Sequence, residues 1–347
     1  MPISTRREKL QHLKVGASTH PGLWLDKYLR SSDRKDTDAK RNLIDDVIET
    51  ASGTKDHYKK YFERYEALLA SRPGLTYTMT GKTQNRLSVG LGANAVLETS
   101  ITLHHTYGVP YIPGSALKGL ASSYAAKHLE DQDSWKRSFS GGKTERGVLQ
   151  KLIFGDTSES GLVIFYDALP KPGDFHLDAD VITVHHPDYY QGGKKPPADW
   201  DSPTPVPFIT ARGTFRFYLG LVPLPEGEVE KGRKVLELAA LLLKKALEEE
   251  GVGAKTTLGY GRIKILPPKR SEEFEKALRK ARFLRWSDAP RVLAEIANLW
   301  SQLSQEEQGE LEAFLEQNKS QELDHDNLKK ARKRDAKLDA LLKKLRR

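Results

Sequence analysis

The segment from Lys234 to Pro268 constrains the fold more than any other. KVLELAALLLKKALEEEG (234–251) is built from Leu, Ala, Lys and Glu, all strong helix formers, and Gly251 supplies the C-terminal stop. A glycine-rich turn and the strand-like RIKIL follow at once, and Pro267-Pro268 ends the run. Just upstream, VPFITARGTFRFYLGLVPL (206–224) sets Thr214, Arg216 and Tyr218 against Phe215, Phe217 and Leu219. That is the period of two expected of a strand with unlike faces. Strand, helix and strand in quick succession must lay the helix across a sheet, because neither element can bury its apolar side alone.

The preceding stretch has the same order. LTYTMTG (75–81) reads as a strand, and RLSVGLG (86–92) and LETSITL (97–103) as short extended pieces. Pro113-Gly114-Ser115 opens a helix running to about Leu129, with Ser115 as N-cap and Leu117, Leu120, Ala121 and Tyr124 on its buried side. DQDSWKRSFSGGKTERG has the composition of a mobile loop, VLQKLIFGD that of a short helix, and LVIFYDALP (162–170) that of a buried strand. Residues 171–207, rich in Pro, Gly, His and Asp, read as a long insertion. From 75 to 268 the pattern predicts an α+β, ferredoxin-like domain: one antiparallel sheet under two helices, with the other sheet face open to RNA. Residues 1–74 form a basic leader and a helical segment, in which Tyr58, Tyr61, Phe62, Tyr65, Leu68 and Leu69 make one stripe. Residues 269–347 read as a charged helical extension.

The chain has no cysteine, which excludes disulfides, thiolate catalysis and cysteine-held zinc. No apolar run is long enough for a membrane span, and MPISTRREKL lacks the apolar core of a secretory signal, so the expected location is the cytoplasm. A net charge of +9 favours polyanionic partners, since each neutralised phosphate releases counterions. Residues 329–347, however, hold ten Lys and Arg against two Asp. Most of the excess lies there, and the body must be judged by its motifs.

Two glycine-punctuated segments carry the chemistry. In YGVPYIPGSALKG (107–119), Gly114 permits a tight turn into a new helix, whose free N–H groups attract phosphate, and Lys118 sits one turn further on. A plain Pro-Gly helix start with an exposed lysine accounts for the local pattern more simply. In GVGAKTTLGYGRI (251–263), Gly251, Gly253, Gly259 and Gly261 let backbone approach a sugar-phosphate chain closely. Lys255 and Arg262 supply cations there, and Tyr260 a stacking surface. The spacing fits neither G-x-x-x-x-G-K-[ST] nor G-x-G-x-x-G. Glycines and cations coincide, so RNA contact accounts for this loop better than a purely structural hairpin.

PGSALKG after a glycine-rich extended stretch, paired with the late GxGAKTxxGYGR pattern, resembles the RAMP superfamily of CRISPR-associated RNA-binding proteins. With FGD (154–156), HLDADVITVHHPDYY (176–190) and PPADWDSPTPVPFIT (196–210), the set is similar to the family of sixth RAMP subunits in the type III-B (Cmr) effector. The likeness spans about 75–266 and leaves the leader and 269–347 uncovered. It implies assembly beside other RAMP subunits and a place near the 3′ end of the guide RNA, with target RNA as a further partner. It also implies a non-catalytic role without cofactor or metal, cutting being the task of a neighbouring subunit. Carried over by position, Lys118, Lys255 and Arg262 are the leading RNA contacts and Gly253, Gly259 and Gly261 the close-approach backbone. Gly114, Ser115, Tyr260 and His104 complete the expected set.

Two other readings remain open. His104 and His105, with Tyr107 or Lys118, could serve as acid and base in a metal-independent ribonuclease, although adjacent strand residues face opposite ways. His176, Asp178, Asp180, His185, His186 and Asp188 could hold a metal for a hydrolase, but no HExxH or fixed three-ligand spacing supports this. A hydrogen-bonded network over Tyr189, Tyr190 and Trp200 suits the segment better. Asp156 reads as a helix-end cap. The tail from Asn327 places leucines on a basic helical scaffold suited to RNA or an acidic neighbour.

Overall fold

A computed structural model describes residues 12–318 except 17, 32, 34–35, 52–54, 73, 130–132, 141–142, 187–188, 190–191, 193–195, 201–202, 268–269, 286 and 304. Most of the leader, Asp188, Tyr190 and the tail beyond 318 lie outside the described residues. The chain divides into two compact units, Met1–Pro267 and Pro268–Arg347.

In the first unit, helices α1 (Pro21–Lys27), α2 (Thr37–Ala51) and α3 (Lys55–Ala70) precede β1 (Thr76–Thr83) and α4 (Gly114–His128). A small hairpin, β2 (Arg137–Ser140) with β3 (Lys143–Arg146), leads to α5 (Val148–Phe154). Then come β4 (Val163–Phe165), β5 (Leu169–Val184), β6 (Thr204–Leu221), α6 (Val229–Glu249) and β7 (Ile263–Leu266). The main sheet has the order β4-β6-β1-β7, all neighbours antiparallel, and β5 pairs with β6 beyond that path.

One core explains the central elements. Leu117, Ala121 and Tyr124 of α4 and Leu236, Ala239, Leu243 and Leu247 of α6 recur at helical spacing. They pack on Met79, Phe215, Phe217, Leu219 and Ile263, which the strand period sends to one sheet face. The opposite face is not open as expected. Helix α3 covers it: Tyr58 and Tyr218 are fully buried, Tyr65 meets Tyr218 edge to face, and Glu66 takes Arg216 at 2.7 Å and the Tyr218 hydroxyl at 3.0 Å. The polar-looking row Arg216–Tyr218 is tolerated under a helix because that helix brings a carboxylate for it. Leu68, expected in the α3 stripe, is exposed.

About half of the expected insertion lies in strands, 171–184 in β5 and 204–207 in β6. Residues 175–184 pair continuously with 204–213, making β5 and β6 a long hairpin arm whose register shifts between Pro170 and Phe175. Leu177, Ile209 and Ala211 of this arm pack with Trp24, Leu43, Ile44 and Val47 of α1 and α2. The expected strand at 162–170 is interrupted: Val163–Phe165 pairs with β6, Ala168 bridges Ile112, and Leu169 begins β5. The loop expected at 131–147 contains the β2–β3 hairpin. Residues 86–103 hold only isolated bridges, Leu87 with Ala211 and Leu103 with Pro110.

The second unit packs α7 (Glu272–Arg282), α8 (Ala289–Trp300) and α9 (Gln305–Asn318) round a core of its own, with Phe274, Leu278, Leu293, Ile296, Leu311 and Leu315 buried. Ser271 caps α7 by accepting the Phe274 N–H at 3.0 Å, and its own N–H donates to Glu307 at 2.6 Å. Lys280 pairs with Glu295 and Arg270 with Glu310. The described part of the stretch that reads as a charged helical extension is helical and has its own core.

Candidate nucleic-acid interface

The loop after α6 is held open by left-handed backbone. Gly251, Gly253, Gly259 and Gly261 all have positive φ, and so does Lys255 (φ 60), where no other non-glycine residue described does. Backbone bonds pin the loop to the chain that follows β1. The Ala254 N–H donates to the Ser88 carbonyl at 2.7 Å, and the Gly261 N–H to the Arg86 carbonyl at 2.8 Å. The glycines serve this contact. A Cβ on Gly253 would lie 2.3 Å from the Ser88 oxygen, and one on Gly261 1.9 Å from the Val252 oxygen. The close approach these two permit is to the chain's own backbone. A Cβ on Gly259 would meet only the Asn85 amide, at 3.6 Å.

On this frame the side chains fall into two sets. Lys255 extends its ammonium over the Phe208 ring, 5.8 Å from its centroid, and Arg262 is exposed. Neither makes a side-chain hydrogen bond or ion pair among the described residues. Around them a second set is tightly paired. The Tyr260 hydroxyl donates to Asp180 at 2.6 Å, Arg86 reaches the same carboxylate at 2.6 Å, and Arg212 grips Asp178 in a fork at 2.7 and 2.9 Å. Burial opposes ionisation of Asp180, but the bonds from Tyr260 and Arg86 outweigh it and hold its pKa below the usual value. The same bond from Tyr260 pushes the phenol up. Gln84, Asn85, Arg86, Arg212, Leu258, Gly259 and Tyr260 line a cavity of about 370 Å³.

The helix start is built differently. Pro113, not Ser115, occupies the N-cap position; Ser115 is already helical and exposed. The Gly114 N–H donates to Asp167 at 2.7 Å, and a Cβ on Gly114 would sit 2.1 Å from the Phe165 oxygen. A carboxylate thus occupies the first free N–H, where a phosphate was expected. Lys118, half-buried, makes no hydrogen bond or ion pair among the described residues. The two segments share the central core, through Leu117 at one and Val252 at the other. A run of backbone bonds, Ala254 to Ser88, Thr102 to Val89 and Tyr111 to Thr102, also joins the loop to the approach to α4.

His104 lies in a nest of rings, 5.5 Å from Tyr61, 5.0 Å from Tyr107 and 6.0 Å from Tyr111. Its Nδ1 accepts the Thr106 N–H at 3.2 Å, and burial lowers its pKa. Of the acidic and histidine cluster, Asp178 and Asp180 are taken by Arg212, Arg86 and Tyr260, and among the described residues no three His, Asp or Glu gather as a metal site. Asp156 accepts the N–H groups of Ser158 and Glu159, a turn that closes the chain after α5, and its carboxyl is held far below the usual range. Sequence reasoning missed Asn85, Arg86, Phe208 and Arg212 as parts of the loop's surroundings. The alternation Phe208–Thr210–Arg212 in β6 was the available signal.

Residues 75–264 match the family described as the RAMP superfamily. The chain belongs to the RAMP superfamily. This RAMP protein is 33% identical over 277 residues to the CRISPR system Cmr subunit Cmr6 of Pyrococcus furiosus, covering 66% of this chain and 79% of that one. It is 27% identical over 245 residues to the Cmr6 subunit of Saccharolobus solfataricus, covering 67% and 74%. The crystal structure of Cmr6 from Pyrococcus furiosus matches 56% of this RAMP chain and 99% of its own, at 33% identity and a TM-score of 0.35. None of the described helices in the RAMP chain is long and apolar enough to cross a membrane.

Proposed function

We propose that this RAMP chain is a guide-RNA-holding structural subunit of a type III-B CRISPR effector, the counterpart of the two archaeal Cmr6 subunits it resembles. It acts in antiviral defence, beside other RAMP subunits and near the 3′ end of the guide. The observation that carries the RNA-holding role is the loop at 251–262. Its backbone is fixed by the chain itself, while Lys255 and Arg262, beside Tyr260 and Phe208, have no carboxylate partner among the described residues. Fixed cations beside rings suit a single strand, whose phosphates and bases they meet together. The strand adjacency β4-β6-β1-β7, with α4 and α6 on one face, supports a ferredoxin-like core in which the β5 arm is an addition.

The test is binding of guide RNA by the purified chain. Binding is expected to be salt-sensitive and to leave the RNA uncut. Lys255→Ala with Arg262→Ala should weaken it about tenfold and lower the slope of log affinity against log salt by about two. Scission by the isolated chain would remove the structural reading, and unchanged affinity in the double variant would remove the loop from the interface.

A further inference from the structure

The cavity beside the loop has a composition that a phosphate track alone does not require. Two of its walls are guanidiniums that cannot swing freely. Arg212 spends Nε and Nη2 on Asp178, and Arg86 spends Nη1 on Asp180, so each keeps donors unused in a fixed plane. Each pair is neutral as a pair, so these arginines are weak traps for a bare anion but well-oriented donors for a neutral acceptor. Gln84 and Asn85 add two exposed amides; the only side-chain bond either makes among the described residues is a long one, Asn85 to the Gly259 carbonyl at 3.5 Å. Leu258, 70% exposed, and the Tyr260 ring supply apolar surface. The volume, about 370 Å³, lies at the small end of the roughly 300–1,000 Å³ typical of small-ligand sites.

We propose that this cavity takes one unpaired nucleotide of a bound RNA strand, its base lying against Leu258 and Tyr260 with an acceptor-bearing edge toward Arg86, Arg212 and the amides of Gln84 and Asn85. The assignment rests on the RNA-holding reading and adds to it: Lys255 and Arg262 serve the phosphates, whatever the sequence, and the cavity serves a base. Asp178 and Asp180 then act as positioning residues, holding the arginine donors at the angle a planar base edge needs.

The experiment compares two oligomers of equal length and equal phosphate number, oligouridylate and the corresponding abasic ribose-phosphate chain, on the full-length protein. The wild type is expected to prefer the base-bearing oligomer by about five- to tenfold, the lower end of what one stacked base contributes. Gln84→Ala with Asn85→Ala, and separately Leu258→Ser, should bring that ratio close to one without changing affinity for the abasic chain. All three residues are exposed, so the fold should tolerate these changes. Lys255→Ala with Arg262→Ala should weaken both oligomers equally, which separates the phosphate sites from the base site. A wild-type ratio of one, or a ratio that survives in both cavity variants, would overturn the proposal and leave RNA holding intact. Failure of both oligomers to bind would overturn both readings. Uridine monophosphate at millimolar concentration is expected not to saturate the cavity in calorimetry; saturation would put a free nucleotide there and overturn the assignment to a strand.

Discussion

The loop at 251–262 and the helix start at 113–118 look alike as text: each sets glycine and lysine in a short span where backbone N–H groups could meet phosphate. In space they are made for different purposes. The loop turns Gly253 and Gly261 inward, against Ser88 and Val252, and leaves Lys255 and Arg262 without acidic partners among the described residues. The helix start turns Gly114 inward as well, against Phe165, but places the Asp167 carboxylate on its first N–H. Glycine in both cases marks a place where the chain must touch itself. What distinguishes an anion-ready surface is whether a carboxylate has already taken the donors.

The largest expected effect breaks the loop itself. Gly261→Ala combines a left-handed φ of 70 with a Cβ 1.9 Å from a carbonyl oxygen, so it should destabilise the first unit by about 3 kcal/mol or more, read as a fall in Tm. Gly119→Ala, on α4 with nothing within 4 Å, should instead stabilise by about 0.5–1 kcal/mol. Equal losses at the two positions would end the claim that packing decides where glycine is required.

A smaller effect tests the helix start. Asp167→Asn keeps an acceptor for the Gly114 N–H and removes a negative charge. RNA affinity should rise about twofold if a phosphate passes that end of α4, by the roughly 0.3–1 kcal/mol that a charge at a helix terminus contributes. Unchanged affinity in a filter-binding titration would confine the RNA path to the loop.

The smallest effect concerns the approach to that helix. Burial lowers the folded-state pKa of His104 below 6.5, so the unfolded chain takes up a proton more readily than the folded one. Stability from this residue is complete above pH 6.5 and declines as pH falls through that value towards the lower, folded pKa. The fall in Tm between pH 7.5 and 5.5 should therefore shrink in His104→Gln; an identical fall would show that the ring nest does not shield the imidazole.

Periodicity made much of the central fold legible. Helices α4 and α6 and strands β1 and β7 could be read because their apolar residues recur at periods that sequence shows directly. The arm could not. Pro170, Pro172, Pro205 and Pro207 punctuate both strands, and what organises them is pairing across the hairpin, such as Asp178 with Arg212, which leaves no local trace. The covering of the second sheet face was hidden for the same reason: Arg216 and Tyr218 read as solvent-facing until Glu66, far upstream, is set over them. At the candidate site, Lys255, Tyr260 and Arg262 announced themselves by lying among glycines. Arg86 and Phe208 did not, since only tertiary folding brings the end of β1 and the arm to the loop.

Lys255 carries a further consequence. A side chain in left-handed backbone costs about 1–2 kcal/mol relative to the ordinary helical region, and a fifth glycine in this loop would avoid it. Replacing lysine by glycine there should make the protein harder to melt and poorer at its task. Resistance to heat and hold on the nucleic acid would then move in opposite directions at a single position.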